Sequence, residues 1–245
     1  MKKLFDRQLR IRVFGAGWWF YMVLTVFLLI LLCVLCRSFD MESRRKIVFI
    51  LSIIELVVLR LYKFSLKDIR DDYNYFNELP CYLCNQSTLL CIAAAYLDNQ
   101  VLMSFCATAG TLGALLAVLM PDRYNRDQLL FSKQAFGFYG YHGLLIITCL
   151  SFYFLGLYRP RLVDTLWVMW IIFFLACVAH VINIVFRKAG LNPVANYVFT
   201  YDPVNEALDK LYRLIPYRLF YLIPVLLILT AVSFVMLLVM KMFVF

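Results

Sequence analysis

The most reactive side chain that the sequence places at a favourable position is Cys81. It follows Pro80, which suits the first position of a helix because its missing N–H would have no partner there. Cys81 would then lie in the first turn, where free N–H groups and the helix dipole favour an anion. Such a position lowers the pKa of a thiol from about 8.5 towards neutrality, and a thiolate is a nucleophile. The alternative is that Cys81 only fills a small gap in the packing.

His142 is the second candidate for chemistry, and it is one of only two histidines in the chain. It lies eight residues into a long apolar segment, which is about 12 Å along a helix. An ionisable group at that depth in a membrane is costly unless it faces a polar interior, so by default it marks a functional site. The alternative is a neutral imidazole that joins two helices by a hydrogen bond.

Two further pairs of residues have spacings that suggest a shared helix face. Cys81 and Cys84 form a Cys-x-x-Cys pair, but no βαβ pattern supports redox chemistry and no second pair supports a zinc site. We therefore expect no metal and no other cofactor. His180 and Asn183 are three residues apart and are expected to line a cavity with His142. The alternative for this pair is hydrogen bonding between helices.

The composition indicates the solvent around these residues. The 245 residues are 64% hydrophobic and only 16% charged, with a mean hydropathy of +0.81. Soluble domains carry about 25% charged residues, so the chain is predicted to be an all-α polytopic membrane protein, with a single transmembrane domain over residues 1–245. Its net charge of +9 lies mostly beside apolar segments, which favours lipid headgroups and not nucleic acid as the partner.

Seven apolar segments are candidates for crossing a bilayer, which takes about 20 residues of helix. The predicted spans are residues 15–36, 47–62, 80–97, 101–120, 134–157, 163–186 and 216–240. The second is the weakest, because Glu55 lies inside it and must be neutralised or find a partner. Arg60, His142 or a tyrosine from another helix could be that partner.

The distribution of Lys and Arg predicts that the N-terminus is inside. With that orientation 17 of the 24 positive residues lie in inside segments and 7 in outside segments, as the positive-inside rule requires. The first loop, with four positive charges, is the exception. The candidate residues then cluster near the cytoplasmic face, which predicts a site open to the cytoplasmic leaflet.

Four short runs follow one another along the chain: LPCYLC at residues 79–84, GALLAVLMP at 113–121, Tyr141-His142-Gly143, and an Asn-Tyr motif at residues 196–197. Together they resemble the transmembrane protein 164 family and its bacterial YwaF-like relatives. The resemblance implies transfer of acyl chains between phospholipids, with Cys81 as the nucleophile and His142 as the histidine of the fifth helix. The chain departs from the family at Tyr82, where the family usually has His, and bacterial relatives keep a Cys at the position of Cys84.

These observations predict a membrane-embedded acyltransferase or transacylase in a bacterial cytoplasmic membrane. Cys81 would attack a phospholipid ester while His142 shuttles the proton, and Cys84 is the other candidate nucleophile. The residues expected to bind the substrate are Tyr82, Asn196, Tyr197, His180 and Asn183.

Two other interpretations stay open at this stage. The chain could be a non-enzymatic membrane protein, namely a lipid or small-solute transporter or a subunit that docks a partner. Glu55, His142 and Asn183 would then form a polar pathway. In the third interpretation these polar residues only hold the helix bundle together.

Overall fold

The computed structural model describes residues 10–68, 73–122 and 125–243. Within these ranges the chain is mostly helical, as the sequence predicts, and two short strands, β1 (Arg10–Ile11) and β2 (Gln128–Leu129), pair antiparallel. The longer helices are α1 (Ala16–Leu35), α2 (Met41–Ser65), α3 (Leu83–Leu97), α4 (Gln100–Leu119), α5 (Lys133–Phe154), α6 (Asp164–Lys188), α7 (Glu206–Leu214) and α8 (Ile223–Met242). Single π-helical turns interrupt α4 at Cys106–Gly110 and α5 at Phe136–Gly140.

Five of the described helices are long and apolar enough to cross a membrane. They are α1, α4, α5, α6 and α8, the last with the short helix Phe220–Leu222 that precedes it. The second predicted span coincides with α2, which has charged ends, and the third with α3, which has 15 residues. The count of seven spans and the N-inside orientation stay predictions. Part of the orientation argument rests on Lys2, Lys3, Arg7, Arg70 and Arg123, which lie outside the described residues.

The chain divides into two compact units. Unit 1 comprises Met1–Asp71 and Ser87–Arg159, and unit 2 comprises Asp72–Gln86 and Pro160–Phe245. The single transmembrane domain expected over residues 1–245 stays a prediction.

In unit 1, glycines allow close packing around α5. A Cβ atom at Gly137 would overlap the ring of Tyr62 on α2, and one at Gly143 would lie 2.5 Å from the hydroxyl of Thr25 on α1. These two positions are therefore contact points at which any side chain would push neighbouring helices apart. Gly143 belongs to the Tyr-His-Gly run, so its presence there has a packing reason.

In unit 2, a loop connects α6 to the exposed helix α7 and then to α8. The loop leaves α6 through Gly190, whose φ of +69° suits a residue without a side chain. Asn205 begins α7 by accepting a hydrogen bond from the Leu208 N–H at 2.9 Å. Helix α7 has no buried residue, as expected for a helix that lies along a membrane surface.

Candidate functional site

Cys81 lies just before helix α3 and not in its first turn. The helix begins at Leu83, and the Gln86 N–H donates to the Tyr82 carbonyl at 2.9 Å, so Tyr82 is the residue at the helix cap. The Cys81 N–H donates to the Leu79 carbonyl at 2.8 Å, which forms a tight turn. The prediction that Pro80 opens the helix is therefore wrong, because the chain still turns at that residue.

Cys84 occupies the position that the sequence had suggested for Cys81. It is the second residue of α3, within the first turn, where the helix dipole favours a negative charge. Both thiols are half-buried and neither forms a disulfide. The two cysteines thus differ in backbone setting, and either could serve as the nucleophile.

Tyr197 is a buried residue that packs against Tyr82, the neighbour of Cys81 in the sequence. Its ring packs edge to face against Tyr82 at 5.2 Å, and its side chain is 1% exposed. Among the described residues, its hydroxyl has no hydrogen-bond partner. Burial, and then the charges that Cys81, Tyr82 and Glu78 can carry nearby, raise the pKa of Tyr197 above its ordinary value. The phenol is therefore a neutral hydrogen-bond donor near Cys81.

Asn183 of α6 fixes the backbone of Tyr197 at two points. The Asn183 Nδ2 donates to the Tyr197 carbonyl at 3.0 Å, and the Tyr197 N–H donates to Asn183 Oδ1 at 2.8 Å. Asn183 is fully buried, so both bonds are shielded from water. This paired contact positions Tyr197 relative to α6.

The loop around Tyr197 has an uncommon backbone that needs such support. Val198 and Phe199 have φ values of 53° and 57°, and each such residue costs about 1–3 kcal/mol unless its surroundings impose it. Phe199 is also held through its carbonyl, which accepts a hydrogen bond from the Tyr221 hydroxyl. The loop is therefore imposed by contacts from α6 and from the short helix Phe220–Leu222 before α8.

Three other residues that were expected to bind substrate form hydrogen bonds with groups of this loop. His180 Nδ1 lies 3.2 Å from Thr200 Oγ1, and Asn183 Nδ2 donates to the same oxygen at 2.9 Å, so these two side chains do share a face of α6. Asn196 Oδ1 accepts from the N–H groups of Tyr201 and Asp202 at 3.1 Å each. Substrate binding by His180, Asn183 and Asn196 stays a prediction.

Sequence reasoning missed Glu78 as a site residue. Its side chain is 5% exposed, although it stands in a polar segment between two predicted spans. A carboxylate in such a segment is usually solvated, and only the tertiary packing of the chain buries this one. Its charge contributes to the environment of Tyr197.

His142 belongs to unit 1 and is buried there. Its Nδ1 lies 2.8 Å from the Phe138 carbonyl one turn earlier. Since a carbonyl only accepts, Nδ1 carries the proton in this bond, and the lone pair of the neutral ring is on Nε2, the form that a general base requires. Cys81 belongs to unit 2, so the expected meeting of its sulfur with the His142 imidazole stays a prediction.

Glu55 finds its partner on another helix of unit 1. Its Oε1 accepts a hydrogen bond of 2.5 Å from the Thr88 hydroxyl, and the Thr88 oxygen lies 2.9 Å from the Tyr141 hydroxyl. Because Thr88 donates to Glu55, Tyr141 must donate to Thr88. All three groups lie in the interior of unit 1, and together they connect α2, α3 and α5.

The sequence model of the TMEM164 family matches residues 13–238. The chain belongs to the TMEM164 family. No curated protein and no solved structure matches it.

Membership of the TMEM164 family confirms the membrane-protein prediction and the first part of the motif resemblance. The matched range includes Cys81, Cys84, His142 and Tyr197. Within the part of the chain that the structure describes, no group of three His, Cys, Asp or Glu residues is arranged to hold a metal ion. The likeness to YwaF-like proteins and the acyl-transfer chemistry stay predictions.

Proposed function

We propose that this TMEM164-family protein is a membrane-embedded acyltransferase or transacylase that moves phospholipid acyl chains through a thiol at the start of α3. The observation that supports this most is the buried phenol of Tyr197, which lies near Cys81 and has a hydroxyl without a partner among the described residues. A donor held beside a nucleophile suits the stabilisation of an oxyanion.

The proposed reaction has two acyl-transfer steps. The Cys81 thiol gives its proton to a base, and its sulfur bonds to the ester carbonyl carbon of a phospholipid. When the carbon–oxygen bond breaks, the protonated base returns the proton to the leaving lysolipid oxygen. An acceptor hydroxyl then loses its proton to the base, attacks the thioester and displaces the sulfur, which regains the proton. No net oxidation or reduction occurs.

In this proposal the Tyr197 hydroxyl donates to the carbonyl oxygen as negative charge develops on it. Because the phenol bonds to none of the residues that the structure describes, no hydrogen bond to them has to break first. Tyr82, which packs against Tyr197, would contact the substrate from the same side. Asn183 would contribute by holding the backbone of Tyr197.

His142 is the proposed base, as the sequence predicts. The hydrogen bond from its Nδ1 to Phe138 favours the tautomer that accepts a proton at Nε2. Glu78 is a second candidate, because its carboxylate belongs to the same unit as Cys81. Replacing each by Gln distinguishes them: loss of transfer in His142→Gln alone supports the histidine.

The proposed site opens to the cytoplasmic side of the membrane. With the N-terminus inside, the start of α3 faces the cytoplasmic leaflet, where Lys and Arg side chains of the loops would bind the lipid phosphate. We propose a bacterial cytoplasmic membrane as the location, in line with the resemblance to YwaF-like proteins.

The decisive experiment replaces Cys81 and Cys84 separately by Ser and measures acyl exchange onto a lysophospholipid in liposomes. We expect Cys81→Ser to abolish exchange and Cys84→Ser to have the smaller effect. Cys177→Ser, a half-buried cysteine on α6, is the matched control and should exchange normally. Full activity in both the Cys81 and the Cys84 variant would rule out thiol chemistry.

A further inference from the structure

Two arginines of unit 2 stack on one tyrosine ring. The guanidinium carbon of Arg187 lies 3.9 Å from the centroid of the Tyr201 ring, and that of Arg218 lies 3.7 Å from it. Two planar cations cannot occupy the same face at these distances, so they lie on opposite faces of the ring. Each gains a cation–π contact and loses freedom of motion.

The two guanidinium groups differ in how their charges are balanced. Arg187 donates to Asp202 Oδ2 at 2.7 Å and to the Ala195 carbonyl at 2.7 Å, so it is neutralised and held. Among the described residues no carboxylate forms an ion pair with Arg218, which is exposed. The Tyr201 ring thus presents a fixed guanidinium with an unbalanced positive charge.

This arrangement stands at the ends of two apolar helices. Arg187 is in the last turn of α6, and Arg218 lies two residues before the apolar segment that begins at Phe220. The neighbouring Tyr217 and Phe220 are both largely exposed, as aromatic residues at a membrane–water boundary are. Lipid phosphates lie at that same depth.

We propose that Arg218, held flat against Tyr201, binds the phosphate of an anionic phospholipid headgroup. A guanidinium matches a phosphate through two parallel N–H···O bonds, and stacking on Tyr201 fixes its plane before the lipid arrives. The proposal deepens the proposed function and rests on it for the lipid class, whereas binding itself requires no thiol.

The test measures binding of short-chain phosphatidylglycerol to the purified full chain in detergent, with the matching diacylglycerol as the probe without phosphate. We expect Arg218→Ala and Tyr201→Leu each to weaken phosphatidylglycerol binding about tenfold, although the second keeps every charge. Arg218→Lys should be weaker than the native protein as well, because an ammonium does not stack or bind in two-point fashion.

Arg213→Ala is the matched control, since Arg213 is also exposed but belongs to α7 and pairs with Asp209 at 2.9 Å. It should bind within about twofold of the native protein. Equal losses in the Arg213 and Arg218 variants would overturn the proposal in favour of general surface charge. Displacement of the lipid by an equal concentration of inorganic phosphate would overturn the lipid as the ligand.

The same assay separates this inference from the proposed function. Cys81→Ser should bind phosphatidylglycerol like the native chain even where acyl exchange is lost. If both cysteine variants keep full exchange while Arg218→Ala loses binding, the enzyme proposal fails and the headgroup site stands. Thermal unfolding of each variant establishes that a loss of binding comes from a folded protein, and Arg218→Lys serves if Arg218→Ala is not folded.

Discussion

Unit 1 and unit 2 each bury tyrosine hydroxyls, but they use them differently. In unit 1 the Tyr141 hydroxyl donates to Thr88, which donates to Glu55, so the group is part of a chain of bonds between helices. In unit 2 the Tyr197 hydroxyl is equally buried and bonds to none of the described residues. A bonded hydroxyl holds helices together, whereas a buried hydroxyl without such a bond can bind another group.

The difference has an energetic consequence. Leaving a buried polar group without its partner costs about 1–3 kcal/mol, so a protein does not retain such a group for stability. The Tyr197 backbone is nevertheless fixed by Asn183, which bonds to both its N–H and its carbonyl. The position is therefore precise and the hydroxyl is uncommitted, which is the combination that a substrate-binding donor needs.

The largest expected effect comes from removing each hydroxyl in turn. Tyr197→Phe should lower the rate of acyl transfer about 100-fold, as loss of one oxyanion donor does, without destabilising the fold. Tyr141→Phe should instead lower the free energy of unfolding by about 1 kcal/mol, because Thr88 loses a donor. Transfer rates and thermal unfolding of both variants test this. A loss of stability in Tyr197→Phe together with a loss of transfer in Tyr141→Phe would exchange the roles of the two hydroxyls.

The next largest effect is expected from removing the two hydrogen bonds between Asn183 and the backbone of Tyr197. Asn183→Leu leaves the Tyr197 N–H unpaired and removes the Asn183 bond to its carbonyl, which still accepts from the Thr200 N–H at 3.3 Å. The loss should cost about 2 kcal/mol in unfolding and lower the transfer rate about tenfold. Asn183→Asp keeps the acceptor and should lose less of both. If Asn183→Leu is folded and transfers at the native rate, the position of Tyr197 is irrelevant to catalysis.

The packing of unit 1 is expected to affect stability and to have a smaller effect on acyl transfer than the two changes above. Gly137→Ala should destabilise the protein by about 1–3 kcal/mol, because the added carbon overlaps the ring of Tyr62. Gly140→Ala is the control on the same helix, where no atom lies within 4 Å of the added carbon, and it should be neutral or stabilising. Equal unfolding temperatures for the two variants would contradict the close approach of α2 and α5.

The smallest effect concerns pH. Because burial raises the pKa of Tyr197, its phenol keeps its proton beyond the ordinary value of about 10. Titration of the thiol or the base affects native protein and Tyr197→Phe alike. The ratio of their rates should thus change by less than about twofold between pH 7 and pH 9. A ratio that falls towards one over this window would mean that the phenol ionises and is not the donor.

The long apolar helices were the most predictable part of the described residues. Crossing a bilayer requires long apolar helices, so composition alone located α1 within a residue or two at each end. The start of α3 was less predictable. Pro80 permits both a first helical turn and an ordinary turn, and the contact between the Cys81 N–H and Leu79 decided between them.

The hydrogen-bond partners of the candidate residues could not be predicted from a pattern in the sequence. Glu55 and Thr88 are 33 residues apart, and Asn183 and Tyr197 are 14 apart across a loop of uncommon backbone. Such pairings depend on how helices pack, which spacing along one helix does not determine. The stacking of Arg187 and Arg218 on Tyr201 went unpredicted for the same reason.

The account depends most on a covalent acyl intermediate at the start of α3. Incubating the purified protein with a phospholipid donor and no acceptor, then mapping acyl-modified peptides by mass spectrometry, tests it directly. We predict a hydroxylamine-sensitive acyl group on Cys81 that is absent in Cys81→Ser and accumulates less in Tyr197→Phe. An unmodified Cys81 and Cys84 in a preparation that still exchanges acyl chains would contradict the account.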